Sequence, residues 1–271
     1  MERPPTHAAT TATNDASNRL SAKDDWNKAW EQVQKGPLQF NHRTPSFRDL
    51  DDLFMRHLPM GNQIRSLELG CCPGQYLWYF HARFGHQVTG IDYLKKGCHE
   101  TVQRCNASGV NAEVVNADIF DFQCDAKHQP WDVVASFGLV EHFTDIVPCL
   151  QAHIRLTKPG GLILISIPNH AGLNGRLLRT VSPSLYQIHN HMTWNDLRKG
   201  LEQTGRVEIL EGGHFGRLGF WGTSIYRRVR SLGQIPYLAV RTPLWAIEHA
   251  GRMLPNTSFL SPNIAVVARR L

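Results

Sequence analysis

Two hydrophobic periods alternate along this chain. Short apolar runs at 64–69, 87–91, 112–116, 131–136, 162–167, 207–210 and 263–268 have the length and bounding turns of strands. Helical patterns separate them. Leu77, Phe80 and Phe84 share one helix face, as do Cys98, Val102 and Cys105 in a helix over 95–107 that Gly109 closes. A further helix is predicted from Thr144, with Val147, Leu150 and Ile154 on its inner face. Thr193 with Asp196 reads as a capping box for a helix running to Gln203 and stopped by Gly205. Ahead of the first strand, Trp26, Trp30 and Val33 stand at i, i+4, i+7, and Leu50, Leu53, Phe54 and Leu58 form a second helical stripe. Residues 1–23 carry Thr, Ala, Asn and Pro with no apolar period and are expected to be disordered. The uninterrupted run 162–167 suits a strand buried on both faces.

The chemistry starts where the first strand ends, at Leu67-Glu68-Leu69-Gly70-Cys71-Cys72-Pro73-Gly74-Gln75. Strand, small-residue turn and helix make a nucleotide-type ligand site, because glycine lets backbone approach a ligand and the new helix offers free N–H groups. The second strand ends at Asp92, where a carboxylate suits a ribose diol.

At these residues the chain resembles the class I S-adenosylmethionine-dependent methyltransferases, whose first motif reads roughly E/D-x-G-x-G-x-G. Glu68, Gly70 and Gly74 match it, and Cys72 replaces the middle glycine. The resemblance implies a Rossmann-like, seven-stranded, mostly parallel sheet with helices on both faces and an antiparallel final pair. It implies S-adenosyl-L-methionine as cofactor, held by Glu68, Gly70, Cys72, Gly74, Asp92, Tyr93 and Phe137, with Asp118 and Ile119 at the adenine. Leu156-Thr157-Lys158-Pro159-Gly160-Gly161 before the fifth strand is also frequent in this family. Three parts follow: a tail at 1–23, a helical lid at 24–60, and a methyltransferase domain at 61–271 with a helical cap inserted at about 212–258.

Phe137-Gly138-Leu139-Val140-Glu141-His142-Phe143 resembles the family's segment lining the donor methyl and the acceptor. His142 can be a general base, an orienting hydrogen bonder or, with Glu141, a metal ligand. As base it is the first choice, with His170, His189 and His191 as alternates and His191 foremost among them. Trp30, Glu141, His170, His189 and Trp221 are expected to touch the substrate. His189-Asn190-His191 suggests a metal pair, but two ligands without a third make substrate contact the better reading, and no metal is expected. The Asn/Asp-Pro-Pro-aromatic motif of enzymes acting on exocyclic amines of bases is absent here. The Pro148-Cys149 dipeptide falls inside a helix, too far from the strand tip for a cytosine-C5 nucleophile.

Composition adds limits. The 271 residues are 42% apolar and 19% charged, ordinary for a globular protein. No apolar run approaches the ~18 residues of a membrane span, and the N-terminus shows no apolar core of a signal peptide. Six cysteines without a C-x-x-C pair suit a reducing cytoplasm. The net charge of +6 is partly local, with Arg217, Arg227, Arg228, Arg230, Arg241 and Arg252 in the C-terminal part. Aromatic and basic residues there could meet an acidic or aromatic acceptor or lipid headgroups. The reading is methyl transfer to an O or N atom of a small molecule. The alternatives are a peripheral-membrane quinone or lipid methyltransferase and a non-catalytic cofactor-binding or scaffold protein. No nucleic-acid partner is expected, and the sequence leaves the oligomeric state open.

Overall fold

A computed structural model describes residues 18–31, 36, 38, 44–220 and 223–271, without the side chains of 28–31, 45 and 46. In chain order the elements are α1 (Lys23–Glu31), α2 (Pro45–His57), β1 (Arg65–Leu69), α3 (Gln75–Phe84), β2 (Gln87–Asp92), α4 (Lys95–Ala107), β3 (Glu113–Asn116), β4 (Trp131–Phe137), α5 (Val147–Leu156), β5 (Thr157–Pro168), α6 (Leu173–Val181), α7 (Pro183–Gln187), α8 (Trp194–Gln203), β6 (Val207–Phe215), α9 (Ile225–Arg230), α10 (Gln234–Gly251) and β7 (Asn263–Arg270). The strands form one seven-stranded sheet in the order β3-β2-β1-β4-β5-β7-β6. The first five pair in parallel, while β7 runs antiparallel to both β5 and β6.

Period-2 alternation assigns each strand residue to one of two cores. Leu162 and Leu164 of β5 face α2 and α3, with Leu53, Phe54, Leu77 and Phe80. Ile163, Ile165 and Ile167 face α5 and α8, with Cys149, Leu150, Leu197 and Leu201. Strand order reverses between β1 and β4, and in open α/β sheets that switch point opens a crevice at the carboxyl ends of the strands.

The structure departs from the sequence reading in four places. α5 begins at Val147, three residues late. The reason lies upstream: Thr144 and Asp145 donate their N–H groups to the main chain and side chain of Asn18, which leaves them outside the helix. β6 runs on to Phe215 through Gly212 and Gly213, because β7 supplies ladder partners that far. Gly212 is also where the Trp194 ring lies on the sheet: a Cβ there would come within 2.3 Å of it. The helical cap therefore starts after Phe215. The stretch 171–186, a Gly-rich insertion by its sequence, folds into α6 and the start of α7. Finally, residues from Asn18 onward, placed in the disordered tail by sequence, pack on the main body, with Arg19 in an antiparallel bridge to Phe143.

Candidate active site

The cofactor loop owes its shape to local geometry. Gly70 (φ 71°) and Gly74 (φ 87°) occupy the left-handed region that favours glycine. The Gly70 and Cys71 N–H groups donate to Ile91 O, and Gly74 N–H donates to Cys71 O at 2.7 Å. Gly74 turns its missing Cβ toward α4, where Thr101 Cγ2 would lie 2.8 Å away. Its task is thus helix packing and turn geometry, in place of the close ligand approach expected from the sequence. The Cys72–Pro73 bond is cis, and the Cys72 side chain stands where the family motif has glycine.

Asp92 closes the loop from the neighbouring strand. Its Oδ1 accepts from Leu94 N–H at 2.9 Å and its Oδ2 from Cys72 N–H at 3.3 Å. Burial raises its pKa from the ordinary carboxylate value despite these bonds. Glu68 lies beneath the loop and is 4% exposed, with Oε2 unpartnered. Burial, then the neighbouring Asp92 charge, pushes its carboxyl well above the usual range.

These residues bound a cavity of about 230 Å³. Of the expected cofactor residues, Gly70, Cys72, Asp92, Tyr93, Asp118, Ile119 and Phe137 line it; Glu68 and Gly74 lie behind the wall. Arg19, Ser21 and Trp26 also line it. The Arg19 guanidinium pairs with Asp118 and lies 5.3, 5.2 and 5.6 Å from the ring centroids of Tyr93, Phe120 and Phe143. Sequence reasoning missed Arg19, which sits in a polar stretch without a period. Trp26 was legible as a lid residue; its ring meets that of His142 edge-on, with centroids 4.5 Å apart.

A second cavity, about 370 Å³, adjoins the first and shares Phe137, Gly138 and His142 with it. Its walls are mainly apolar, from Phe47, Leu50 and Tyr76 to Leu178 and Leu185, and Tyr76 stacks on Phe137 with centroids 3.4 Å apart. Its polar corner is made of Glu141, His142, His170 and His189, and no Lys or Arg lines it among the described residues. Burial lifts the Glu141 carboxyl to about 8. Burial, then the proximity of His189, lowers His142 to about 3, and His170 is lowered likewise to about 3.

His191 lines neither cavity. Its Nε2 meets the Tyr186 carbonyl at 2.8 Å and its ring stacks on Tyr186, so the H-x-H pair does not act as a pair. What the fold gathers is Glu141, His142 and His189, each offering a ligand atom within 4.8 Å of the others. The Trp30 side chain and Trp221 lie outside the described residues.

Residues 67–161 match the family model of a methyltransferase domain. Among curated proteins, the ubiquinone biosynthesis O-methyltransferase of Rhizobium leguminosarum bv. trifolii is 28% identical over 140 residues, 52% of this chain and 51% of that protein. The chain thus spans about half the length of that curated relative. Among solved structures, geranyl diphosphate C-methyltransferase from Streptomyces coelicolor A3(2), in complex with Mg2+, geranyl diphosphate and S-adenosyl-L-homocysteine, superposes with a TM-score of 0.59 at 12% identity, covering 92% of this chain and 97% of that one. Phosphoethanolamine N-methyltransferase 2 from Haemonchus contortus, in complex with S-adenosyl-L-methionine, gives a TM-score of 0.55 at 18% identity, covering 82% and 52%. The match over residues 67–161 and the likeness in fold bear out the resemblance to the class I S-adenosylmethionine-dependent methyltransferases.

Proposed function

We propose that this protein transfers a methyl group from S-adenosylmethionine to an oxygen of a small, largely apolar acceptor. The observation that carries this reading is the contiguity of the two cavities across Phe137, Gly138 and His142, one with Asp92 and Asp118 in its wall and one apolar with a polar corner. Curated relatives named as ubiquinone biosynthesis O-methyltransferases favour oxygen over nitrogen. The donor cavity fits the cofactor: Gly70 keeps backbone at the cavity wall, Asp92 faces it as a carboxylate, and the orphaned Glu68 oxygen beneath the loop lacks a donor. When bound, the cofactor supplies a sulfonium-activated methyl. The chain's own residues then have three tasks. Asp92 accepts hydrogen bonds from the ribose hydroxyls; Asp118 and Ile119 hold the adenine; Tyr93 and Phe137 flank them. Glu141, His142, His170 and His189 form the polar corner that orients the acceptor. Residues 18–31 act as a cover, with Arg19, Ser21 and Trp26 lining the donor cavity.

The test is calorimetry with S-adenosylmethionine, followed by S-adenosylhomocysteine release against a panel of neutral phenols and alcohols, with amines and phosphorylated acceptors for comparison. Absence of cofactor binding in folded protein would favour the scaffold reading and end this one. A second reading, peripheral attachment to a membrane, draws on α9 and α10. Leu232, Ile235, Leu238, Trp245, Ile247 and Met253 are exposed there among Arg227, Arg228, Arg230, Arg241 and Arg252. No helix among the described residues is long and apolar enough to cross a membrane, so attachment would be interfacial. Co-sedimentation with anionic vesicles decides it, and unbound protein at low salt rejects it. Six cysteines without a disulfide fit a reducing cytoplasm as the place of action.

A further inference from the structure

The polar corner of the acceptor cavity has the construction of a metal centre. Metal-ligating histidines commonly donate their other ring N–H to a backbone carbonyl or carboxylate, which fixes the tautomer and aims the remaining lone pair. His189 is held that way: its Nδ1 lies 2.6 Å from Leu185 O, so Nδ1–H donates and Nε2 keeps its lone pair. The His142 Nδ1 is buried and has no partner, and the ring lies beside that of His189, with centroids 4.5 Å apart. Glu141 Oε2 is likewise buried and unpartnered. One ligand atom from each of the three falls within 4.8 Å of the others.

The segments that bring them together are clamped. Asn190 N–H donates to Glu141 O at 2.6 Å, and the Asn190 side chain donates to the Phe143 and Thr144 carbonyls. The loop carrying His189 is thus fastened to the turn carrying Glu141 and His142. His170 adds a further imidazole, its centroid 4.7 Å from that of His189 and both its nitrogens buried without partners. A buried carboxyl needs a compensating charge or a proton, and no Lys or Arg lines this cavity among the described residues.

We propose that Glu141, His142 and His189 form a binding site for a divalent transition-metal ion, with His170 as the adjoining fourth donor. Two or three imidazoles with one carboxylate suit Zn2+, Co2+ or Mn2+, whereas Mg2+ and Ca2+ demand oxygen ligands throughout. A position left open toward the apolar cavity would take the acceptor oxygen, so the ion and the acceptor would meet beside the donor cavity. This last point rests on the methyl-transfer reading; the ion site does not.

The probe is Co2+ added to the chelator-treated full chain without cofactor. One equivalent should bind, give visible d–d bands of a low-coordinate nitrogen–oxygen site, and be displaced by Zn2+ but not by a hundredfold excess of Mg2+. Glu141→Gln and His189→Ala should each weaken binding by more than about 100-fold, beyond the roughly 10–100-fold lost when a group that only orients a ligand is removed, and His191→Ala should leave it unchanged. Wild-type protein that binds no Co2+, or variants that bind as wild type does, would overturn the proposal. If Glu141→Gln fails to fold, the wild-type stoichiometry and the His189→Ala comparison remain decisive. Because S-adenosylmethionine titration of the same sample is read separately, loss of ion binding and loss of cofactor binding are told apart.

Discussion

Replacing Asp92 by alanine removes the carboxylate at the tip of β2 and with it two kinds of interaction. If Asp92 accepts both ribose hydroxyls, two charge-assisted hydrogen bonds worth ~1.5–3 kcal/mol each disappear. Water entering the space returns part of that, and a net loss of at least ~1.4 kcal/mol, tenfold in Kd, is the lower bound. The second effect is on the loop. Leu94 N–H and Cys72 N–H lose their acceptor, and each orphaned buried donor costs ~1–3 kcal/mol of stability. The two effects separate with Asp92→Asn, whose remaining oxygen can still accept from Leu94 N–H while its amide withdraws the charge. The assay is calorimetric titration with S-adenosylhomocysteine for both variants, alongside urea denaturation. Alanine should lose in both measurements; asparagine should keep most of its stability and lose the affinity. Since burial already raises the Asp92 pKa, wild-type affinity should also fall as pH drops through that raised value. Wild-type Kd in a folded Asp92→Ala protein would refute the ribose assignment.

Three further perturbations test other parts of the molecule. Gly74→Val puts a branched residue at φ 87° with its Cβ 2.8 Å from Thr101 Cγ2; strain and overpacking should cost about 2–5 kcal/mol in urea denaturation, and a loss under 1 kcal/mol would show that the α3–α4 contact yields easily. Arg19→Ala should loosen the segment over the donor cavity, and with a partly exposed ion pair worth up to ~1 kcal/mol, tryptic cleavage at Lys23 should quicken by roughly fivefold; an unchanged rate would mean that the pair with Asp118 does not hold the segment. His153 is fully buried between Ser136 Oγ and Cys149 O, and burial lowers it to about 4. Its unfolded form protonates near 6.5, so stability is fully present above that pH and declines between about 6.5 and 4, by up to ~3 kcal/mol; His153→Gln should flatten that part of the pH–stability curve, and an equally steep curve would place the titration elsewhere.

The donor half of the site was legible because each of its residues is tied to a strand end. Gly70, Cys72, Asp92, Asp118 and Phe137 sit one to three residues past an apolar run, and β-pairing alone brings such positions to one edge. The acceptor half depends on contacts between distant segments. His189 reaches Glu141 only through the Asn190 hydrogen bonds across nearly fifty residues, and nothing in the period of either segment announces that. The sequence offered His189 with His191 by adjacency, whereas the fold separates them by stacking His191 on Tyr186. Arg19 was illegible for a different reason: its anchoring comes from an isolated bridge and an ion pair, neither of which leaves an apolar pattern. Gly74 was recognised from the motif, but its partner on α4 is a tertiary fact that no local pattern announces.

The position of β7 between β5 and β6 has a consequence for how the molecule is made. Strands β1 to β5 can assemble as synthesis proceeds, each beside one already present. β6 cannot join them, because its only partner in the sheet is β7 and its place is one strand away from β5. Until residues 263–270 leave the ribosome, the exposed edge of β5 and the whole of β6 remain unpaired, and Asn263, which lines the acceptor cavity, is missing from its wall. A nascent chain should therefore acquire the donor cavity first and the acceptor cavity only with its final strand, and in the interval the open β5 edge is the surface most in need of a chaperone.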